Sequence, residues 1–240
     1  MQDWPEGTQK FVFDTIDSTM AEAKRQAPAI AGAAWFLSYE QTAGTGRRGR
    51  AWDSQKGNFA ASLLIRPNAP PDQLALRSFL VALTGRKDIF TLKWPNDVLL
   101  RGGKLAGILL ETHSERAVHP SLIIGIGVNL QNMPAKAKLE TTATAPKSLK
   151  QETGLSFDPA VFLETLAPYF NHWEQQLVTY GFAPIRQAWL AKAANLGQTI
   201  TARMPNSETS GVFKTIDDTG ALILQTPDGP QVITAAEISF

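Results

Sequence analysis

The sequence predicts an α+β protein, with a mixed β-sheet domain over residues 1–194 and a small β-barrel appended over residues 195–240. Three observations carry this. Between Thr91 and Leu130 four strand-like segments follow one another with no helix between them, which suits a mixed sheet rather than a doubly wound one. Past Leu196 come four short strands at Thr199–Met204, Gly211–Asp217, Ala221–Thr226 and Gln231–Thr234. Asp218-Thr219-Gly220 and Asp228-Gly229-Pro230 are turn signals between them, the pattern of a small barrel. Finally, 43% hydrophobic and 19% charged residues are those of an ordinary globular chain, with no internal repeat.

Taken in order, an alternating stretch from Phe11 to Asp17 leads into a helix at Ala21-Glu22-Ala23-Lys24-Arg25, with Thr19 and Glu22 in capping-box spacing. Ala34–Tyr39 reads as a buried strand. Asn58–Ile65 is a second, with Phe59, Ala61, Leu63 and Ile65 on one face. Asp72–Leu83 is helical, and the strands Thr91–Trp94, Val98–Arg101, Lys104–Glu111 and Ser121–Leu130 follow. Residues Gln131–Lys150 hold few large apolar groups and are expected to form a mobile surface loop. A long helix over Asp158–Tyr180 sets Val161, Phe162, Leu166, Tyr169, Phe170, Trp173, Leu177 and Tyr180 near one face. Pro184–Ala193 continues as another helix.

Composition excludes several classes. Lys plus Arg number 23 against 22 Asp plus Glu, so the net charge of +1 demands neither nucleic acid nor an anionic membrane. Cysteine is absent, which removes disulfides, thiolate metal sites and a cysteine nucleophile, and fits a cytoplasmic address. No window approaches about 18 uncharged apolar residues and no signal pattern opens the chain, so no membrane partner is expected. His113, His119 and His172 lack metal-site spacing.

Basic character concentrates in Gly44-Thr45-Gly46-Arg47-Arg48-Gly49-Arg50, three glycines threaded with three arginines. The G-x-G-x-x-G spacing suggests a dinucleotide turn, but the polar residues after Ala51 open no helix. A P-loop would need Lys and then Ser or Thr where Arg50 and Ala51 stand. What is left is an anion-holding loop of another kind, in which glycine lets backbone N–H groups approach and Arg47 offers a fixed fork of donors.

Five motifs occur in order: Asp17-Ser18-Thr19, the Gly-Arg loop, Lys93-Trp94-Pro95-Asn96-Asp97, Lys104-Leu105-Ala106-Gly107-Ile108-Leu109-Leu110-Glu111, and Gly125-Ile126-Gly127-Val128-Asn129-Leu130. Together they resemble the biotin protein ligases from about Phe11 to the end. The resemblance implies a catalytic domain of the biotin/lipoate ligase type with an SH3-like C-terminal barrel. It implies ATP and Mg²⁺, with biotin as substrate: biotin's carboxylate attacks the α-phosphate, and biotinyl-adenylate then passes its acyl group to a lysine of a biotin carboxyl carrier domain. Carboxylate and triphosphate repel, so such a site needs fixed cations and N–H donors more than a general base.

Carried onto this chain, Arg47 and Lys104 are the catalytic candidates. Ser18, Thr19, Met20 and Gln41 line the biotin pocket, with Ser18, Thr19 and Gln41 pairing the ureido N–H and C=O groups. Gly44, Thr45, Gly46 and Arg47 close over the ligand, and Lys104 reaches its carboxylate. Gly107 with Ile108 gives apolar wall. Arg47, Arg50, Trp52, Lys93, Asn96, Asp97 and Asn129 are expected at the nucleotide, with the 131–150 segment over adenine. Asp97 and Asn129 are candidates to touch magnesium or its waters, and no direct ligand is assigned. Thr45 stands where many members have arginine and Met20 where asparagine is common, which implies looser loop closure and one polar contact fewer. With only 17 residues before Ser18, no helix-turn-helix and no nucleic-acid partner are expected. Edge-to-edge pairing of several members makes a homodimer possible.

Blander readings stand beside these. Ser18 and Thr19 alone would be helix caps. Lys93 and Lys104 alone would be strand-end charges, Trp94 before Pro95 reads chiefly as structure, and Arg48 is left to solvent. A lipoate or octanoate ligase on the same fold, a nucleic-acid-binding module and a biotin-binding regulator without ligation are the rival functions.

Overall fold

The computed structural model describes residues 3–69, 71–82, 89–114, 120–134 and 144–240. Among these, a seven-stranded sheet is built from β1 (Gln9–Phe13), β2 (Ala34–Ser38), β3 (Phe59–Ile65), β4 (Phe90–Lys93), β5 (Asp97–Leu100), β6 (Gly103–His113) and β7 (Ser121–Val128). The order is β1-β2-β3-β7-β6-β5-β4. Only β1 and β2 run parallel, joined through α1 (Thr19–Gln26); every other neighbour is antiparallel. The mixed sheet and α+β class expected from the sequence are both present.

Alternation along the strands gives this sheet two unlike faces. Trp35, Leu37, Phe59, Ala61, Leu63, Ile124, Ile126 and Ile108 join the main core beneath α5 (Pro159–Tyr180) and α6 (Ala183–Leu190). The opposite face carries a smaller cluster of Phe36, Leu64 and Ile123 under α1, whose Met20, Ala23 and Ala27 cover it. The functional site opens on this second face.

Several helices differ from expectation in detail. The segment 72–83 is two short helices, α2 (Pro71–Leu74) and α3 (Arg77–Ala82), and Leu83 lies outside the described residues. In α5 the buried stripe is Leu163, Leu166, Ala167 and Phe170, with Phe162, Trp173 and Leu177 half-buried beside it. Val161, Tyr169 and Tyr180 face solvent, because the turn of about 100° per residue sets each roughly 90° or more from the middle of that stripe, which falls between Leu163 and Phe170. Asp158 caps α5 by accepting from the Ala160 and Val161 N–H groups, and Pro159 occupies the first turn, where it has no helical donor to lose. The surface loop expected over 131–150 falls partly outside the described residues, at 135–143. Its far end is ordered: Lys104 N–H donates to Ala145 O at 2.8 Å, Lys147 N–H returns to Lys104 O at 2.9 Å, and α4 (Leu149–Thr153) follows, capped by Ser148.

The C-terminal residues form a five-stranded antiparallel sheet of β8 (Thr199–Arg203), β9 (Glu208–Ile216), β10 (Leu222–Thr226), β11 (Gly229–Ile233) and β12 (Glu237–Ser239), in the order β11-β10-β9-β8-β12. It is the small β unit expected, with one strand more, since Glu237–Ser239 is too short to announce itself. The end strands β11 and β12 are not paired with each other, so the sheet does not close into the barrel expected. Its core, Ile200, Phe213, Ile216, Leu222, Leu224 and Ile233, is continuous with that of the large sheet.

Candidate active site

Chain geometry brings Ser18, Thr19 and Gln41 together through the one parallel pair. Beyond β1 and β2 the ladder runs on as an isolated parallel bridge between Ile16 and Gln41, so the start of α1 lands beside the entry to the Gly-Arg loop. Ser18 is the N-cap, accepting from Ala21 N–H at 3.4 Å; the capping role read onto Thr19 belongs one residue earlier. Thr19 looks inward instead. Its N–H and hydroxyl lie 2.8 and 3.0 Å from Gln41 Oε1, and Gln41 Nε2 donates to Ser54 Oγ at 2.7 Å. Below Ser18, Asp17 Oδ1 accepts the Ser18 N–H, and both Asp17 oxygens accept from the Arg25 guanidinium. This pairing with Arg25 lowers the Asp17 carboxyl to about 2.

The Gly-Arg loop folds as a tight hairpin. Thr45 bridges Ala51, Trp52 N–H donates to Gly44 O at 2.8 Å, and Gly46 N–H donates to Arg50 O at 2.7 Å. At Gly44 a Cβ would meet Trp52 O at 2.7 Å, so only glycine lets the two arms approach. Arg48 and Gly49 turn the tip with φ of 58° and 72°.

The hairpin delivers the Trp52 indole onto a trough in the sheet. Gly107 on β6 pairs with Gly127 on β7, and Gly125 lies two residues along the same face. A Cβ at Gly127 would overlap the indole, one at Gly107 would come within 3.2 Å of it, and one at Gly125 would meet Met20 Sδ at 2.5 Å. The apolar wall is therefore Trp52, Met20 and Leu109 over bare backbone, and Ile108, expected in that wall, turns its side chain into the main core.

Lys104 shares this face through a β-bulge. The β5–β6 register shifts between Val98 and Leu99, so the odd spacing from Lys104 to Gly107 still points both at the cleft. Its ammonium lies 2.8 Å from Asp97 Oδ1 and 5.8 Å from the centre of the Trp52 ring. Arg47 Nη1 donates to Asn96 Oδ1 at 3.1 Å, and Asn96 Nδ2 donates to Ile108 O, which ties the loop to β6. Lys93 Nζ donates to Thr144 Oγ1 at 2.6 Å. Burial holds both the Arg47 and the Lys93 cation below its ordinary pKa, with Asp97 opposing that in each case.

Apart from the Asp17–Arg25 pair and Gly49, these groups line one cavity of about 820 Å³. Every site residue read from the sequence borders it, as do several that the sequence did not announce. Arg48, left to solvent, lies at the mouth 3.5 Å from Glu237 Oε2 of β12, which also accepts from Arg50 Nη2 at 3.1 Å. Hydrogen bonding from Arg50 holds the Glu237 carboxyl below the usual range. Glu237 carries no motif and is 187 residues from Arg50, so only the fold reveals it. Asn129 borders the cavity, but its Nδ2 is held by Lys104 O and Lys147 O. Among the described residues no cluster of three or more His, Cys, Asp or Glu side chains could hold a metal ion.

A pocket with hydroxyl and amide groups at one end and a crowd of cations at the other has the lining suited to a polar head group beside an anion. Comparison with known proteins agrees. Residues 12–129 match the biotin/lipoate A/B protein ligase family and residues 196–240 the biotin protein ligase C-terminal domain. The chain is 50% identical over 233 residues to the biotin--[acetyl-CoA-carboxylase] ligase of Paracoccus denitrificans, covering 93% of this chain and 97% of that one. It is 36% identical to the bifunctional ligase/repressor BirA of Bacillus subtilis, across 84% of this chain and 64% of that relative. In fold it matches a biotin protein ligase from Aquifex aeolicus solved with biotin and ATP, at a TM-score of 0.82 and 24% identity over 96% of this chain and 97% of that one. This chain belongs to the biotin protein ligase family.

Proposed function

We infer that the chain is an ATP-dependent ligase that converts biotin to biotinyl-5′-AMP and transfers the biotinyl group to a lysine of a biotin carboxyl carrier domain, and that it works in the cytoplasm. The observation that carries this is the continuity of the two ends of the cavity: the Thr19–Gln41–Ser54 group and the Arg47–Lys104–Lys93 group border the same space. A biotin carboxylate and a nucleotide α-phosphate bound at the two ends would meet near Lys104.

In the first step a biotin carboxylate oxygen bonds to the α-phosphorus while the bond to the β-phosphate bridging oxygen breaks, releasing pyrophosphate. Lys104 and Arg47 are proposed to hold the two anions together, with no proton to move. Burial strengthens such cations, since a drier setting screens them less. Asp97 and the Trp52 face keep the Lys104 ammonium over the trough. In the second step the neutral amine of the acceptor lysine bonds to the acyl carbon, the bond to AMP breaks, and the amine's surplus proton leaves to solvent. We propose that Mg²⁺ arrives with ATP as part of the substrate, since Asp97 is committed to Lys104 and Asn129 offers a single neutral amide oxygen. The polar set Ser18, Thr19 and Gln41, with Met20 and Gly107 as wall, is proposed for biotin. Gly44, Thr45 and Gly46 would cover the ligand, while Arg50, Trp52, Lys93 and Asn96 would serve the nucleotide. The domain boundary is proposed at residues 194 and 195, with an edge-to-edge homodimer as the assembly expected from the resemblance.

Lipoate and octanoate offer no N–H or C=O at the head, so either would leave unfilled the hydrogen-bonding positions that the Thr19–Gln41 group keeps beyond its internal bonds, a penalty of about 1–3 kcal/mol. The test is pyrophosphate release from ATP with biotin, lipoate or octanoate, followed by transfer to a carrier domain. Release and transfer with biotin are expected. Turnover on lipoate or octanoate in place of biotin would move the chain to the sister activity, and silence with every acid would overturn the enzyme reading.

A further inference from the structure

Ser62, on β3, does not border the cavity, and its hydroxyl is completely buried. Its neighbours on that face are the apolar cluster of Met20, Phe36, Leu64 and Ile123. The hydroxyl lies 2.8 Å from Thr19 Oγ1.

Counting protons gives this contact a direction. The Thr19 backbone N–H faces Gln41 Oε1, and an N–H can face only an acceptor, so the oxygen of the amide points toward Thr19 and its nitrogen toward Ser54. The Thr19 hydroxyl has one proton and lies 3.0 Å from that same oxygen, which has no proton to return. Thr19 therefore donates to Gln41, and Ser62 donates to Thr19. The chain of hydroxyl and amide runs one way, from Ser62 through Thr19 to Gln41 and on to Ser54. With its proton committed and one lone pair filled, Thr19 Oγ1 can meet a ligand only as an acceptor.

We propose that Ser62 is a positioning residue for the acid's polar head: with the Thr19 proton taken by Gln41, the Ser62 donation to Thr19 holds that hydroxyl in place with its remaining lone pair turned to the ligand, and so favours a head group that brings an N–H over one that does not. This rests on the biotin reading and deepens it. Ser62 touches no substrate, so its loss acts on the binding of the acid and not on the nucleotide or the chemical step.

The test is steady-state pyrophosphate release by the full chain with biotin and with octanoate, in the wild type, Ser62→Ala, Ser62→Cys, Thr19→Val and the Ser62→Ala/Thr19→Val double variant. Cysteine fills the serine volume and donates weakly, which separates the proton from packing and gives a variant that folds if alanine does not. Both single Ser62 variants are expected to raise KM for biotin about three- to tenfold, the scale of one hydrogen bond, with kcat and KM for ATP within about twofold of wild type. The preference for biotin over octanoate should shrink by a similar factor. In the Thr19→Val background Ser62→Ala should add nothing, since the hydroxyl it orients is gone. A biotin KM unmoved in both single variants, a Ser62→Cys protein equal to wild type beside a weakened Ser62→Ala, or effects that add in the double variant would each overturn the proposal. A wild type active on biotin confines any such failure to Ser62, whereas a wild type silent on biotin takes the ligase reading down together with it.

Discussion

Residue by residue, the site is set by side chains that act through others, and Asp17 with Arg25 is the exposed example. The two-pronged Arg25 contact and the Ser18 N–H stabilise the charged form of Asp17, which is why its carboxyl falls to about 2. A depressed folded value means that the stability contributed by this pair is fully present above the ordinary carboxylate pKa and is lost as pH falls from near 4 through 2. In a carbon-detected NMR titration the Asp17 carboxyl should have its midpoint near 2, and in Arg25→Ala it should move back toward the ordinary 3.8. A wild-type midpoint near 3.8 would mean the clamp does not form in solution. The motif Asp17-Ser18-Thr19 was legible in the sequence, but which hydroxyl caps the helix was not. Thr19 finds its partners 22 and 43 residues away, and a local spacing rule sees neither. Ser62 and Glu237 are hidden from it for the same reason, and Arg48, left to solvent by the sequence, is brought to Glu237 by the tight hairpin.

At the level of elements, the trough on β6 and β7 decides where the Gly-Arg hairpin and its indole can lie. The sequence showed the glycines and suggested close backbone approach; what approaches had to come from the fold. Three glycines facing one way let an indole and a thioether lie on the sheet, while on the other face Ile108, Ile124 and Ile126 stay in the core. Lys104 joins them only through the bulge after Val98, which strict alternation could not foretell. Gly127 does not adopt the left-handed conformation, so Gly127→Ala strains no dihedral and acts through its methyl group alone. That methyl displaces the Trp52 ring and the hairpin behind it. Displacements near 1 Å at a positioning element can cost up to about a hundredfold, so kcat/KM for biotin should fall at least about tenfold, with thermal stability nearly unchanged. Unaltered kinetics in Gly127→Ala would show that the indole does not rest on β7 during turnover.

Across the whole molecule, the C-terminal sheet is part of the cleft and not an appendage. Glu237 of β12 reaches Arg48 and Arg50, the Phe240 ring lies 5.2 Å from Lys93 Nζ, and behind them Trp94 Nε1 donates to Gly220 O at 2.9 Å in a fully buried bond. Arg186 Nε adds a bond to Ile216 O at 2.6 Å. The sequence reading took Trp94 as structural, which it is, yet could not know that it joins two sheets, because its partner is 126 residues on. The arginine–glutamate contacts at the mouth are half-exposed and weak one by one, so the buried tryptophan bond is the stronger tie. Trp94→Phe keeps the ring but leaves the Gly220 carbonyl without its donor, at a cost of about 1–3 kcal/mol. For a chain of this size that lowers Tm by roughly 3–10 °C. Because β12 carries Glu237 to the loop arginines, looser docking should also raise KM for ATP while leaving KM for biotin near its wild-type value: the Thr19–Gln41–Ser54 group proposed for the biotin head is built wholly within the large sheet, α1 and the adjoining loop. Equal shifts in both constants would instead mean that the two sheets move as one body, and that docking tunes the entire cleft rather than its nucleotide end.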